Sequence, residues 1–103
     1  MPRVYLSAAA FEDLLRLDEF LSEVGDPLVG ELLDYVLDAL QVLTHQPCIG
    51  RPVAGGLREL IISRRRSGYL ARYQFDEPND LIRVARIRHQ RESGYSDDDV
   101  SNR

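Results

Sequence analysis

The sequence contains no lysine, so every strong cation among its 103 residues is a guanidinium. Arginine stays charged, binds carboxylate or phosphate with two prongs and stacks on rings. Its pKa is too high for it to act as a general base. Proton transfer would therefore rest on His, Tyr, Asp or Glu. Cysteine is almost absent too. Cys48 cannot form an internal disulfide, which fits a reducing compartment. The two histidines, His45 and His89, lie 44 positions apart. With no Cys-x-x-Cys or His-x-x-x-His spacing, no metal site is expected. No glycine-rich loop leads into Lys and Ser/Thr, which excludes a P-loop, and no cofactor is expected. Cys48 follows His45 by three positions, but no third orienting group accompanies the pair; Cys48 reads as a semi-buried loop residue. No apolar run approaches the roughly 20 residues that cross a bilayer. The start, MPRVYLS, lacks the apolar core of a signal peptide, so the expectation is a cytoplasmic protein without a membrane partner.

What is present has the balance of an ordinary globular domain, 44% apolar and 29% charged. One domain over 1–103 is expected, with a frayed tail from about residue 97. The net charge of -4 divides unevenly: residues 1–45 carry -7, residues 46–96 carry +5 and the tail carries -2.

Arg3 to Leu6 reads as a short strand, and Ser7 as the N-cap of a helix. Ala10, Leu14, Leu17, Leu21 and Val24 then mark one face of that helix, widened by Phe11, Leu15 and Phe20. Glu12 and Arg16 suit an exposed i,i+4 pair, and Gly25 is a C-terminal stop. Asp26-Pro27 predicts a second helix, with Asp26 as N-cap and Pro27 at its first position. Its face is Val29, Leu33, Val36, Leu40 and Leu43, with Leu32 and Leu37 beside it. Two such helices joined by a short turn predict an antiparallel hairpin. Glu31, Asp34 and Asp38 along its outer side read as a solvated acidic face rather than a metal site.

HQPCIGRPVAGG predicts a loop. Leu57–Ile62, Tyr69–Phe75 and Leu81–His89 read as strands, separated by a polar connection at 63–68 and a turn at 76–80. The expected fold is α+β, in β-α-α-β-β-β order: an N-terminal strand, a helical hairpin and a three-stranded antiparallel meander.

The arginines are the informative set. By strand alternation Arg86 and Arg88 share a face with Ile82 and Val84, and Ile87 and His89 share the other with Leu81 and Ala85. Arg72 points away from Tyr69, Tyr73 and Phe75. Arg72, Arg86 and Arg88 would then form a cationic strip, with Arg64, Arg65 and Arg66 at one rim. Such a strip suits an anionic polymer or an acidic peptide, or else it pairs with the chain's own acidic helices. His89 reads either as a structural strand-end histidine or as a proton-transfer group, and Tyr95 either as a proton donor or as a ring covering the sheet edge.

These features together resemble the RelE/ParE superfamily of toxins from type II toxin–antitoxin systems. The resemblance covers nearly the whole chain. It rests on the element order, on Gln46-Pro47-Cys48-Ile49-Gly50-Arg51-Pro52 as a P-x-x-G-x-P loop, and on Leu57-Arg58 opening a strand. Ser67-Gly68-Tyr69 through Tyr73 and the strand end His89-Gln90 complete it. The resemblance implies growth arrest, plasmid stabilisation and a cognate antitoxin that forms a hetero-oligomer with the toxin. RelE-type members resemble ribosome-dependent endonucleases that cut mRNA, often with a C-terminal tyrosine. ParE-type members inhibit DNA gyrase. RelE-type lysines are replaced here by Leu60, Ile61, Ile62 and Ser63, and an arginine of the middle strand by Leu70. Those departures remove several kcal/mol of phosphate stabilisation in comparable sites and favour the ParE-like branch, a non-enzymatic inhibitor. In a nuclease, Arg72, Arg86, His89 and Tyr95 would carry the chemistry. For binding a target or antitoxin the candidates are Arg58, Arg64, Arg65, Arg66, Arg72, Arg86, Arg88 and Arg91.

Overall fold

The computed structural model describes residues 1–65 and 67–91. Arg66, Tyr95 and the tail from residue 97 lie outside the described residues. The elements run β1 (Arg3–Leu6), α1 (Ala8–Val24), α2 (Leu32–Leu40), β2 (Arg51–Val53), β3 (Leu57–Arg64), β4 (Ser67–Asp76) and β5 (Leu81–His89). The result is the expected α+β architecture with a wider sheet. Its five strands are ordered β1-β5-β4-β3-β2. β3, β4 and β5 form the antiparallel meander, β1 joins β5 in parallel, and β2 adds a short strand inside the loop sequence. No helix among the described residues is long and apolar enough to cross a membrane.

The core lies between the helices and one face of the sheet. Ala10, Leu14, Leu17 and Leu21 of α1 and Leu32, Val36 and Leu40 of α2 pack with Ile62, Tyr69, Ala71, Tyr73, Ile82, Val84 and Ile87. Helix α1 begins and ends where its sequence predicts. The Ser7 hydroxyl accepts the Ala10 N–H at 3.0 Å, and Gly25 closes the helix with φ 70°.

Helix α2 corrects the expectation. It starts at Leu32, five residues after Pro27, and Val29 and Leu33 are exposed. Asp26 is drawn off as an N-cap: its carboxylate accepts the Leu28 N–H and forms two hydrogen bonds with Arg64 of β3, at 2.6 and 2.9 Å. The 25–31 segment becomes a turn tied to the sheet. Arg16 also differs from its predicted pairing; it reaches Asp13 at 3.6 Å.

A second correction concerns β5. Tyr73 pairs with Val84 and Arg72 with Arg86, so Ala85 is an extra, bulged residue. Alternation changes phase there. Ile82, Val84 and Ile87 are all buried, and Arg86 and Arg88 do not share their face. The bulge is held at the sheet edge beyond β1. The Ser7 N–H and hydroxyl donate to the carbonyls of Val84 and Ala85, each at 3.0 Å.

Candidate functional site

Three of the resemblance-bearing positions have structural reasons. Tyr73 is fully buried, and its hydroxyl accepts the Gly50 N–H at 2.9 Å and donates to the Pro47 carbonyl at 2.8 Å. A Cβ on Gly50 would lie 2.7 Å from the Tyr73 ring and 2.9 Å from the Glu59 carbonyl oxygen, so the loop closes on the tyrosine only with glycine there. A Cβ on Gly68 would collide with the Ile62 carbonyl oxygen. Arg58 belongs to the same lock, since its guanidinium donates to the carbonyls of Cys48 and Gly50 at 3.1 and 2.9 Å. Cys48 itself is exposed rather than semi-buried, because the lock holds its backbone and leaves its side chain outside.

Arg51, Arg72, Arg86 and Arg88 gather on two shielded carboxylates. On the sheet face away from the helices, Glu59 of β3 has a side chain with no exposed surface. Its Oε1 accepts Nη2 of Arg51 at 2.7 Å and its Nε at 3.3 Å. Its Oε2 accepts Nε of Arg72 at 3.2 Å and lies 3.7 Å from Nη2 of Arg88. Four strands thus contribute one group each. Burial pushes the Glu59 carboxyl up, but the hydrogen bonds from Arg51 and Arg72 outweigh it and hold the group below its ordinary range.

Asp13, on α1, is the second. Its carboxylate accepts Nε and Nη2 of Arg86 at 2.8 and 2.9 Å, and the backbone N–H of Ile87 at 2.9 Å. Burial again pushes the carboxyl up, and Arg86 and the Ile87 N–H again bring it below the usual value. The N–H of Ile87 lies past the end of β1, so Asp13 takes the place of a neighbouring strand.

Of the expected strip, Arg72 and Arg88 meet on Glu59, where Arg51 joins them, and Arg86 is drawn away to Asp13. Sequence reasoning missed Arg51 and Glu59. No local signal marks a lone acid among β-formers, because the partners that allow its burial come from three other strands. Arg64 is bound to Asp26, which the two hydrogen bonds from that guanidinium hold at a pKa of about 2. Arg65 is an exposed turn residue with φ 54°.

His89 stands apart from these groups. Its ring meets Tyr69 edge-on at 5.3 Å, and Tyr69 is a core residue. Nδ1 accepts the Arg91 N–H at 3.1 Å, so in the neutral ring Nε2 carries the proton and donates to Ser67 Oγ at 3.2 Å. His89 pairs with Tyr69, and Arg86 with Arg72, three residues along each strand. By parity His89 leaves the strand toward the helices and Arg72 and Arg86 leave it on the outer face, and the Arg86 guanidinium then turns to Asp13 of α1.

The outer side of α2 carries an open groove of about 670 Å³ lined by Leu28, Tyr35 and Leu37 and by Glu31, Asp34 and Asp38. Its acidic wall makes it a poor seat for the acidic segment expected to suit the arginines. Among the described residues no cluster of His, Cys, Asp and Glu has the arrangement of a metal site.

Three likenesses accompany this geometry. The sequence model of the family described as ParE toxin of type II toxin–antitoxin system, parDE, matches residues 4–94. Toxin RelE3 of Caulobacter vibrioides is 29% identical over 92 residues, spanning 89% of this chain and 98% of that protein. The crystal structure of the toxin–antitoxin complex RelBE2 from Mycobacterium tuberculosis holds a chain of the same fold, with TM-score 0.59 and 22% identity, covering 87% of this chain and 100% of that one.

Proposed function

The chain belongs to the ParE toxin family of type II toxin–antitoxin systems, and from that premise we propose that it arrests growth by binding and inhibiting DNA gyrase, without cutting nucleic acid itself. It is the toxin of such a system, and a cognate antitoxin is the partner that neutralises it.

One observation carries the non-enzymatic reading. General acid–base cleavage of a phosphodiester needs a proton-transfer group within hydrogen-bond reach of the atoms that the cations hold. Here the Arg72 guanidinium is held by Glu59 on the outer face and that of Arg86 by Asp13 of α1, while His89 lies on the helix-facing side against Tyr69. The second reading is a RelE-like, ribosome-dependent mRNA endonuclease. The likeness to Toxin RelE3 favours it.

Expression of the chain alone in bacteria separates the readings. A gyrase inhibitor produces filamentation and DNA-damage signalling, and the purified protein blocks supercoiling by gyrase. The double variant His89→Asn, Tyr95→Phe keeps that activity. Immediate translational arrest with cut mRNA, abolished in the double variant, makes the nuclease correct instead. Unaffected growth leaves a family member that only binds its antitoxin.

A further inference from the structure

Among the described residues, Glu59 is shared by more than one guanidinium. Arg51 and Arg72 bring two positive charges to its single negative charge, and Arg88 lies beside them. The carboxylate is wholly shielded, whereas the side chains of Arg51 and Arg72 remain 66% and 42% exposed. Glu59 thus occupies the inner donors of two arginines and leaves their outer edges toward solvent. Each guanidinium carries five N–H donors, and Glu59 accepts two from Arg51 and one from Arg72.

The neighbouring register row is apolar on β3 and β4 and ends in Arg88 on β5. Ile61 pairs with Leu70, and Leu70 with Arg88. Ile61 is 53% exposed, an unusual position for isoleucine beside a cationic cluster. Tyr69 and Tyr73 are 2% and 0% exposed and belong to the core, and Phe75 packs against it. The exposed ring of the sheet, Tyr5 at 52%, pairs with Arg83 on β5, five positions from Arg88, so among the described residues no ring adjoins the arginine cluster as a stacking platform for bases. A surface that joins oriented guanidinium groups to a branched aliphatic side chain suits a peptide with alternating acidic and aliphatic residues better than it suits a nucleic-acid strand.

We propose that Glu59 is a positioning residue, which holds Arg51, Arg72 and Arg88 as a preformed seat for an acidic, aliphatic segment of a partner protein, with Ile61 as the apolar contact. The seat is independent of whether gyrase or the ribosome is the toxin's target. Its logic is preorganisation: an internal carboxylate fixes long side chains that would otherwise lose rotamer freedom on binding.

The test uses the full-length purified chain and fluorescence anisotropy. The probes are a labelled ten-residue peptide of alternating Glu and Val, the same peptide with Lys for Glu, and a ten-nucleotide oligothymidine. The acidic peptide should bind saturably with Kd below about 1 mM, weaken with added salt, and outcompete both other probes. Arg72→Gln and Ile61→Ser, both at partly exposed positions, should each weaken it by about tenfold, the effect of one lost hydrogen bond or apolar contact. Glu59→Gln separates positioning from charge. It adds one net positive charge to the face, so a seat that works by charge alone binds the acidic peptide more tightly, whereas a positioned seat binds it more weakly while the melting curve still shows a folded protein. Tighter binding in Glu59→Gln overturns the positioning role. Absence of saturable binding of the acidic peptide, preference for oligothymidine, or indifference to both Arg72→Gln and Ile61→Ser overturns the seat, even if Glu59→Gln fails to fold.

Discussion

Asp13 and Glu59 are both shielded carboxylates that gather arginines, yet their surroundings differ in kind. Asp13 binds a backbone N–H as well as Arg86, at the point where β1 ends and β5 runs on paired with β4 alone. It joins a helix to a strand edge. Glu59 binds side chains only, and all of its arginine partners come from other strands of its own sheet. The same chemistry closes the fold in one place and arranges a surface in the other. A buried acid is therefore no guide to function until its partners are known to be main chain or side chain.

The sharpest way to break this contrast is to remove both acids in turn. Asp13→Ala leaves the buried Ile87 N–H without its acceptor, and should destabilise the chain by about 1.5–3 kcal/mol in urea titration. Tyr73→Phe removes a buried hydroxyl that serves two main-chain groups of the 47–50 loop; about 1–3 kcal/mol is expected, read as a lower urea midpoint. Glu59→Gln should cost about 1–2 kcal/mol, because Arg51 and Arg72 are already partly hydrated and no main-chain group loses a partner. A larger loss from Glu59→Gln than from Asp13→Ala would reverse the comparison.

Acid titration sharpens it further. Asp13, Asp26 and Glu59 all have carboxyls held below their ordinary values in the folded chain. Their contribution is complete above the unfolded-state values of about 4 and fades as the pH falls through the folded-state values, which for Asp26 is about 2. Asp26→Asn should lower stability near neutral pH and flatten the acid limb between those limits, as followed by circular dichroism. At the small end, Ile61→Ser on the open face should change stability by less than about 0.5 kcal/mol in the same urea titration.

Much of this architecture is legible in the sequence wherever one periodicity rules. Ala10, Leu14, Leu17 and Leu21 of α1 and the alternation of Tyr69, Ala71 and Tyr73 follow directly from spacing, whereas Val24, Phe11, Leu15 and Phe20, expected on or beside the same helical face, are exposed. The start of α2 is not legible, because Asp26-Pro27 is a sound local capping signal that is overruled by Arg64, 38 residues away. The arginine seat is half legible. Arg72 and Arg88 stand out by strand parity, but Glu59 and Arg51 acquire meaning only when β2, β3, β4 and β5 lie side by side. In the nuclease set Tyr95 lies outside the described residues, and His89 and Arg72 leave the sheet on opposite faces through a register that the sequence alone does not carry.

The bulge at Ala85 has a consequence for comparing this chain with its relatives. Leu81–Val84 and Arg86–His89 are two regular quartets, LIRV and RIRH, with one residue placed between them. Omitting Ala85 leaves an unbroken alternation in which every remaining side chain keeps its face. A relative whose last strand is one residue shorter therefore aligns with its gap at Ala85 rather than in the 76–80 turn. Gaps placed in the turn would shift Ile82 and Val84 onto the wrong counterparts and exchange inward for outward positions across half the strand.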